Sequence, residues 1–191
     1  MKMLIQIATL LLISHTTAQA GELNRMEFPL DGKWHVANTS NDDSWPVMVA
    51  MKLDEQYQQN SPILVLSCEK TQGIQVYINW SGGRVLDKNR WVTYEIDDEE
   101  PVRGIWELSA DGYATFFPDH SPSLVEASGL QLPSDFAEKL ANSKRLIASV
   151  IIGRETPKVG RFKLAGTREA LAKVRAGCGR DDLTESSAGN F

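Results

Sequence analysis

Histidine and cysteine are scarce in this chain, at three and two residues among 191. So few ligands cannot build the usual zinc arrangements, and no HExxH, CxxC or EF-hand loop is written in the sequence. No Gly-x-Ser-x-Gly elbow marks a hydrolase nucleophile. Gly82-Gly83 and Gly166 lack the flanking spacing of a phosphate-binding loop. Basic residues are outnumbered, 20 against 25 acids, for a net charge of −5. A chain of that sign is a poor match for a phosphate backbone or, by charge alone, for anionic lipid. No apolar run approaches the roughly 20 residues that span a bilayer. On these grounds no cofactor, no metal and no nucleic-acid partner is expected.

What is present begins with residues 1–20, which read as a cleaved secretory signal peptide. Lys2 gives the positive start, residues 4–13 the apolar stretch, and Ala18-Gln19-Ala20 the small-x-small cleavage site. An uncleaved anchor would need a much longer apolar stretch. No cysteine stands at the cleavage site, which argues against a lipoprotein. The expected mature chain starts near Gly21, in the periplasm or secreted. It keeps 19 basic and 25 acidic residues, net −6, because the leader removes one lysine and no acid. Residues 21–178 are expected to form a single β-rich domain, and 179–191 a polar, disordered tail. Cys68 and Cys178 in an oxidising compartment read most simply as one disulfide. Free thiols or metal ligands are the competing reading, and neither cysteine has a CxxC or clustered histidine beside it. Closing so long a loop contributes on the order of 4–5 kcal/mol in the chain-entropy model, less any strain.

Periodicity predicts strands at 34–37, 46–53, 63–68, 74–80, 91–96, 102–108, 113–117, 146–152 and 161–164. Residues 63–68 (ILVLSC) are nearly continuous in apolar character, as expected of a strand covered on both faces. In 74–80, Ile74, Val76, Ile78 and Trp80 alternate with Gln75, Tyr77 and Asn79. Ser109-Ala110-Asp111-Gly112 reads as a tight hairpin loop. Two helices are predicted, at 133–142 and 167–177. Asp135 and Glu138 have capping-box spacing in the first, and Thr167 is a candidate N-cap of the second. Leu171, Val174 and Cys178 fall on one side of that helix, which aims Cys178 at the ILVLSC strand. Short strands with frequent turns argue for an antiparallel β-sandwich or barrel-like domain.

Catalytic chemistry is thin. Asp119, His120 and some serine make a triad only on paper, because an acid adjacent to the histidine cannot orient the imidazole from behind. Glu95 and Glu107 are the pair that a wall-cleaving glycosidase would need within about 5–10 Å. Outward-facing strand positions explain both more simply. Asn41-Asp42-Asp43 and Asp97-Asp98-Glu99-Glu100 are dense in oxygen but lack the ligand alternation of a calcium loop. Of five tryptophans, Trp80, Trp91 and Trp106 are expected in the core. Trp45, beside Asp43, Ser44 and Pro46, is expected near the surface. With Asp42 and Asp43 it forms the candidate binding surface.

The order of these pieces resembles the VasI/TagO-type periplasmic proteins associated with type VI secretion. The likeness is carried by Trp34-His35-Val36, Asp42-Asp43-Ser44, the strand ending in Cys68, and Val76-Tyr77-Ile78-Asn79-Trp80. It continues through Val92-Thr93-Tyr94-Glu95-Ile96-Asp97, Trp106-Glu107-Leu108-Ser109-Ala110-Asp111-Gly112, Arg161-Phe162-Lys163-Leu164-Ala165-Gly166 and Cys178. Exported prophage and invasion-locus proteins share parts of it. After Cys178 this chain has Gly179-Arg180 where family members often carry an aromatic. The resemblance implies a β-rich, disulfide-bonded accessory protein with no catalytic site to carry over, whose partner is an envelope or secretion-system protein. The alternatives are a cell-wall-active hydrolase or an inhibitor of a foreign wall-degrading enzyme.

Overall fold

The computed structural model describes residues 33–38, 48–53, 60–69, 73–86, 88, 90–119, 129–130, 132–154 and 156–178. Among these, ten strands make two antiparallel sheets. The first contains β1 (Trp34–Asn38), β2 (Met48–Leu53), β3 (Ile63–Glu69), β4 (Gly73–Asn79), β7 (Glu107–Leu108) and β8 (Ala114–Phe116). Its spatial order is β1-β2-β3-β4-β8-β7. The second contains β5 (Trp91–Ile96), β6 (Val102–Ile105), β9 (Arg145–Ile152) and β10 (Thr156–Lys163), ordered β10-β9-β5-β6. Two helices, α1 (Pro133–Ala141) and α2 (Thr167–Gly177), complete a mainly β architecture of the kind the sequence predicts.

One apolar core joins both sheets and both helices. Leu64, Leu66, Val76 and Ile78 come from the first sheet; Val92, Tyr94, Leu146, Ala148 and Phe162 come from the second. Phe136 and Leu140 of α1 and Leu171 and Val174 of α2 fill the space left over. β3 is buried on both faces from Ile63 to Cys68, as its unbroken apolar run predicts. Tyr77 and Asn79, which alternation puts on a polar side, are buried as well.

Residues 102–108 do not form one strand. β6 pairs with β5 in the second sheet, and β7 pairs with β8 in the first. The chain changes sheets at Trp106, which is fully buried. Its ring stands edge-on to Phe117 (5.5 Å) and Phe136 (5.7 Å) and lies 6.0 Å from Tyr94. A corner made by a strand that switches sheets needs a large inward side chain to fill it. Beyond it, Ser109 Oγ donates to Asp111 Oδ1 (2.7 Å) and Gly112 takes a positive φ of 77°, which builds the hairpin loop that Asp-Gly predicts.

β10 begins five residues earlier than expected. Pro157 and Gly160 suppress the strand signal, but β10 is an edge strand in the order above, where a missing N–H is tolerated. A Cβ at Gly160 would lie 2.7 Å from the Phe162 ring and 3.1 Å from Pro62, so the close approach requires glycine. The helix caps also differ from the sequence reading. Asp135 is the third residue of α1, and its Oδ2 accepts from the Leu132 N–H at 3.0 Å. Glu138 instead pairs with Arg175 of α2. Gly166, at φ 83°, is the N-cap of α2. Thr167 is inside the helix, donating to the Leu164 carbonyl (2.6 Å) and accepting from Trp34 Nε1 (3.1 Å).

The disulfide is formed between Cys68 and Cys178, with Cα atoms 6.0 Å apart. It fastens the end of α2 to the middle of the first sheet. Glu69, next in β3, has its carboxyl pushed above the usual range by burial. Burial, together with the Glu69 charge, drives the Tyr77 phenol upward.

Cys68→Ser and Cys178→Ser should each cost about 2–5 kcal/mol in denaturant unfolding, with the double variant no worse than either single. Oxidised and reduced protein melting together would contradict this. Trp80 Nε1 donates to Thr115 Oγ1 at 2.9 Å, whereas Trp106 Nε1 has no acceptor among the described residues. Trp80→Phe should therefore be less stable than Trp106→Phe by about 1–3 kcal/mol, because it strands a buried hydroxyl. For Glu69 the raised folded pKa means that stability is fullest below the unfolded value and falls as pH rises through the folded one. Glu69→Gln should melt above wild type at pH 7, and the gap should close as pH falls below about 4. A gap independent of pH would refute the desolvation.

Candidate functional site

The surface expected from Trp45, Asp42 and Asp43 lies outside the described residues, as does His120. Glu95 and Glu107 sit on strands of different sheets. Glu95 Oε1 accepts from Arg145 Nη2 at 3.1 Å, and Glu107 is exposed. The acidic run after β5 is used structurally. Asp97 Oδ1 accepts from the N–H groups of Lys144 and Arg145, both at 2.8 Å. Asp98 bonds Arg145 at 3.1 Å, and Glu99 pairs with Lys139. Among the described residues no group of histidine, cysteine or acid side chains could hold a metal ion. No described helix is long and apolar enough to cross a membrane.

Beside that turn is a cavity of about 240 Å³ lined by Tyr94, Ile96, Val102 and Leu130, with Glu99, Glu100 and Lys139. It falls below the roughly 300 Å³ at which small-molecule sites begin. Its polar groups include the Glu99–Lys139 pair, which already satisfies its own charges.

The distinctive surface is the outer face of the second sheet. Burial alternates along β5 and β9, so that Trp91, Thr93 and Glu95, and Ile147, Ser149 and Ile151, point outward. Trp91 is directly opposite Ile105, and Ile151 opposite Pro157. The Thr93–Ser149 pairing runs on toward Trp91 and Ile151. A bridge between Val85 and Ile152 brings Leu86 alongside Ile151. All three large apolar side chains exposed among the described residues therefore gather at one end of one face: Leu86 at 38%, Trp91 at 40% and Ile151 at 36%. The Arg103 guanidinium lies over the Trp91 ring, 5.1 Å from its centroid.

Trp91 is thus a correction to the expected core. Trp91 and Glu95 are four apart in a strand, so they must share a face. Reading Glu95 as outward already requires Trp91 to be outward too. That parity is the signal the aromatic residue's size concealed. An exposed tryptophan held by an arginine on a rigid sheet is chemically a contact surface, with large area and little side-chain freedom to lose.

No protein-family model matches the chain, and no curated protein matches it. Among solved structures, it is similar to the crystal structure of invasion associated protein B from Bartonella henselae. The TM-score is 0.49 at 14% identity, over 76% of this chain and 93% of that one. None of the three assigns the chain to a family.

Proposed function

We propose that this chain is an exported, non-enzymatic binding protein of the bacterial envelope, accessory to a larger assembly. The observation that carries the reading is the patch of Leu86, Trp91 and Ile151 on a sheet of a disulfide-closed domain. Aromatic and aliphatic side chains exposed side by side on a rigid sheet have the chemistry of a contact surface. The disulfide fits an oxidising compartment, which is what residues 1–20 imply as a signal peptide. The VasI/TagO-like order of motifs supports a place beside a type VI secretion machine, and rests on that residue pattern. Hydrolysis has less support. Glu95 is engaged by Arg145 and Glu107 sits in the other sheet, so nothing pairs them as acid and nucleophile.

Fractionation of the native bacterium should recover the protein outside the cytosol, with a mass starting at Gly21. Wild-type protein should then recover one protein from envelope extracts above background, and Trp91→Ala should lose it without a change in Tm. Recovery of background alone by wild type would sink the reading. Release of peptidoglycan fragments that stops in Glu95→Gln or Glu107→Gln would replace it with the hydrolase.

A further inference from the structure

We infer that the partner binds as an added β-strand: an extended segment of another protein pairs with the open edge of β6 and sets an apolar side chain beside Ile105. This rests on the binding reading above and names the form that the partner presents. The argument is the direction of main-chain groups. In an antiparallel ladder, successive residues aim their N–H and C=O alternately at the neighbour on one side and on the other. Trp106 donates to the Arg90 carbonyl (3.0 Å) at the end of the β5–β6 pair, and Asp97 to the Arg145 carbonyl (2.9 Å) at the end of the β5–β9 pair. Both bonds set the same phase. With Tyr94 opposite Val102 and Val92 opposite Gly104, it is Val102 and Gly104 that bond β5. Arg103 and Ile105 therefore aim their N–H and C=O the other way. β6 is the last strand of its sheet, and among the described residues no backbone group bonds Arg103 or Ile105 from that side.

The exposed apolar row ends at this edge. Trp91 is opposite Ile105 on one side, and the Thr93–Ser149 register sets it opposite Ile151 on the other. Ile151, Trp91 and Ile105 thus form one row across β9, β5 and β6. A strand added beyond β6 continues that row with its own side chain, while its main chain meets Arg103 and Ile105. The opposite edge of the sheet is blunted. Leu164 donates to the Lys144 carbonyl (2.8 Å), so the same alternation turns Pro157 of β10 outward, and proline has no N–H to offer. Lipid cannot replace the added strand, because hydrocarbon offers nothing to unpaired N–H and C=O groups. A second copy fits poorly. Two-fold pairing of β6 with itself that engages both residues sets Arg103 of each copy against Ile105 of the other, which ends the apolar row in a cation. Pro101 before β6 and the sheet change at Trp106 after it limit the pairing to the four residues of β6.

The test uses the exported protein with an envelope extract of its own bacterium. Proline at 103 removes an N–H that points outward and puts its ring in the path of an incoming strand, while the β5–β6 ladder stays whole. Arg103→Pro should recover the bound protein about tenfold less well than Arg103→Ala, which takes the same guanidinium off Trp91, with the two at equal Tm. Amide exchange needs no variant, and it decides if the proline lowers Tm. In the free wild type, Arg103 and Ile105 should exchange far faster than Val102 and Gly104; in the complex eluted from the extract they should become protected. Equal recovery by Arg103→Pro and Arg103→Ala, or fast exchange of Arg103 and Ile105 in the complex, overturns the added strand. The binding reading then still stands if Trp91→Ala loses the partner. Slow exchange of both amides in the free protein means that the edge is already covered, and overturns the inference. So does a dimer in sedimentation that Arg103→Pro splits, which would make the occupant a second copy. Background alone from wild type overturns both readings.

Discussion

The covalent tie between α2 and β3 is the constraint on which the remaining geometry hangs. α2 lies at the C-terminal end of the described fold, yet it packs on the strands that begin it. Trp34 reaches Thr167 from β1, and Cys68 reaches Cys178 from β3. Glu138 and Arg175 then join α2 to α1. The first and last elements of the described fold are thereby held against one sheet. A domain of this size can bury a core without cross-links, so the disulfide acts chiefly by limiting the freedom of the unfolded chain.

The second sheet is held differently, by shape. Trp106 carries the backbone from one sheet to the other, and its ring sits among Tyr94, Phe117 and Phe136. Phe117 and Phe136 are stacked 4.3 Å apart, so the sheet corner and α1 share one aromatic cluster. This fixes β5 through Tyr94. Its neighbours Trp91, Thr93 and Glu95 are then presented outward from a strand whose inner side cannot shift. The candidate contact face is stiff because the opposite face of the same strand is sealed.

Much of this was legible in the residues. The ILVLSC run reads directly as a doubly covered strand, and two lone cysteines, in a chain whose first twenty residues read as an export signal, read as a pair. The differences between pattern and structure have separate physical causes. Side-chain type points Trp91 to the core, against its own parity with Glu95. Pro157 and Gly160 hid half of β10, because an edge strand tolerates what a central strand does not. The sheet change at Trp106 is a tertiary event that periodicity over seven residues has no means of registering. The cap of α1 moved because Asp135 could serve the Leu132 N–H, which freed Glu138 for Arg175. The contact face was the least legible part. It is assembled from three separated segments around Leu86, Trp91 and Ile151, and only pairing between strands brings them together.

Trp91 also gives the molecule an optical asymmetry. Trp80 and Trp106 are sealed from water, and Trp34 is half-buried. Trp91 is the most exposed of these described indoles, with a guanidinium across its face. Its emission belongs to a polar surrounding and is open to a soluble quencher, while that of the sealed pair is not. Whatever covers this face would displace water from the ring and shield it. Occupancy is therefore written into the protein's own fluorescence, without any attached dye.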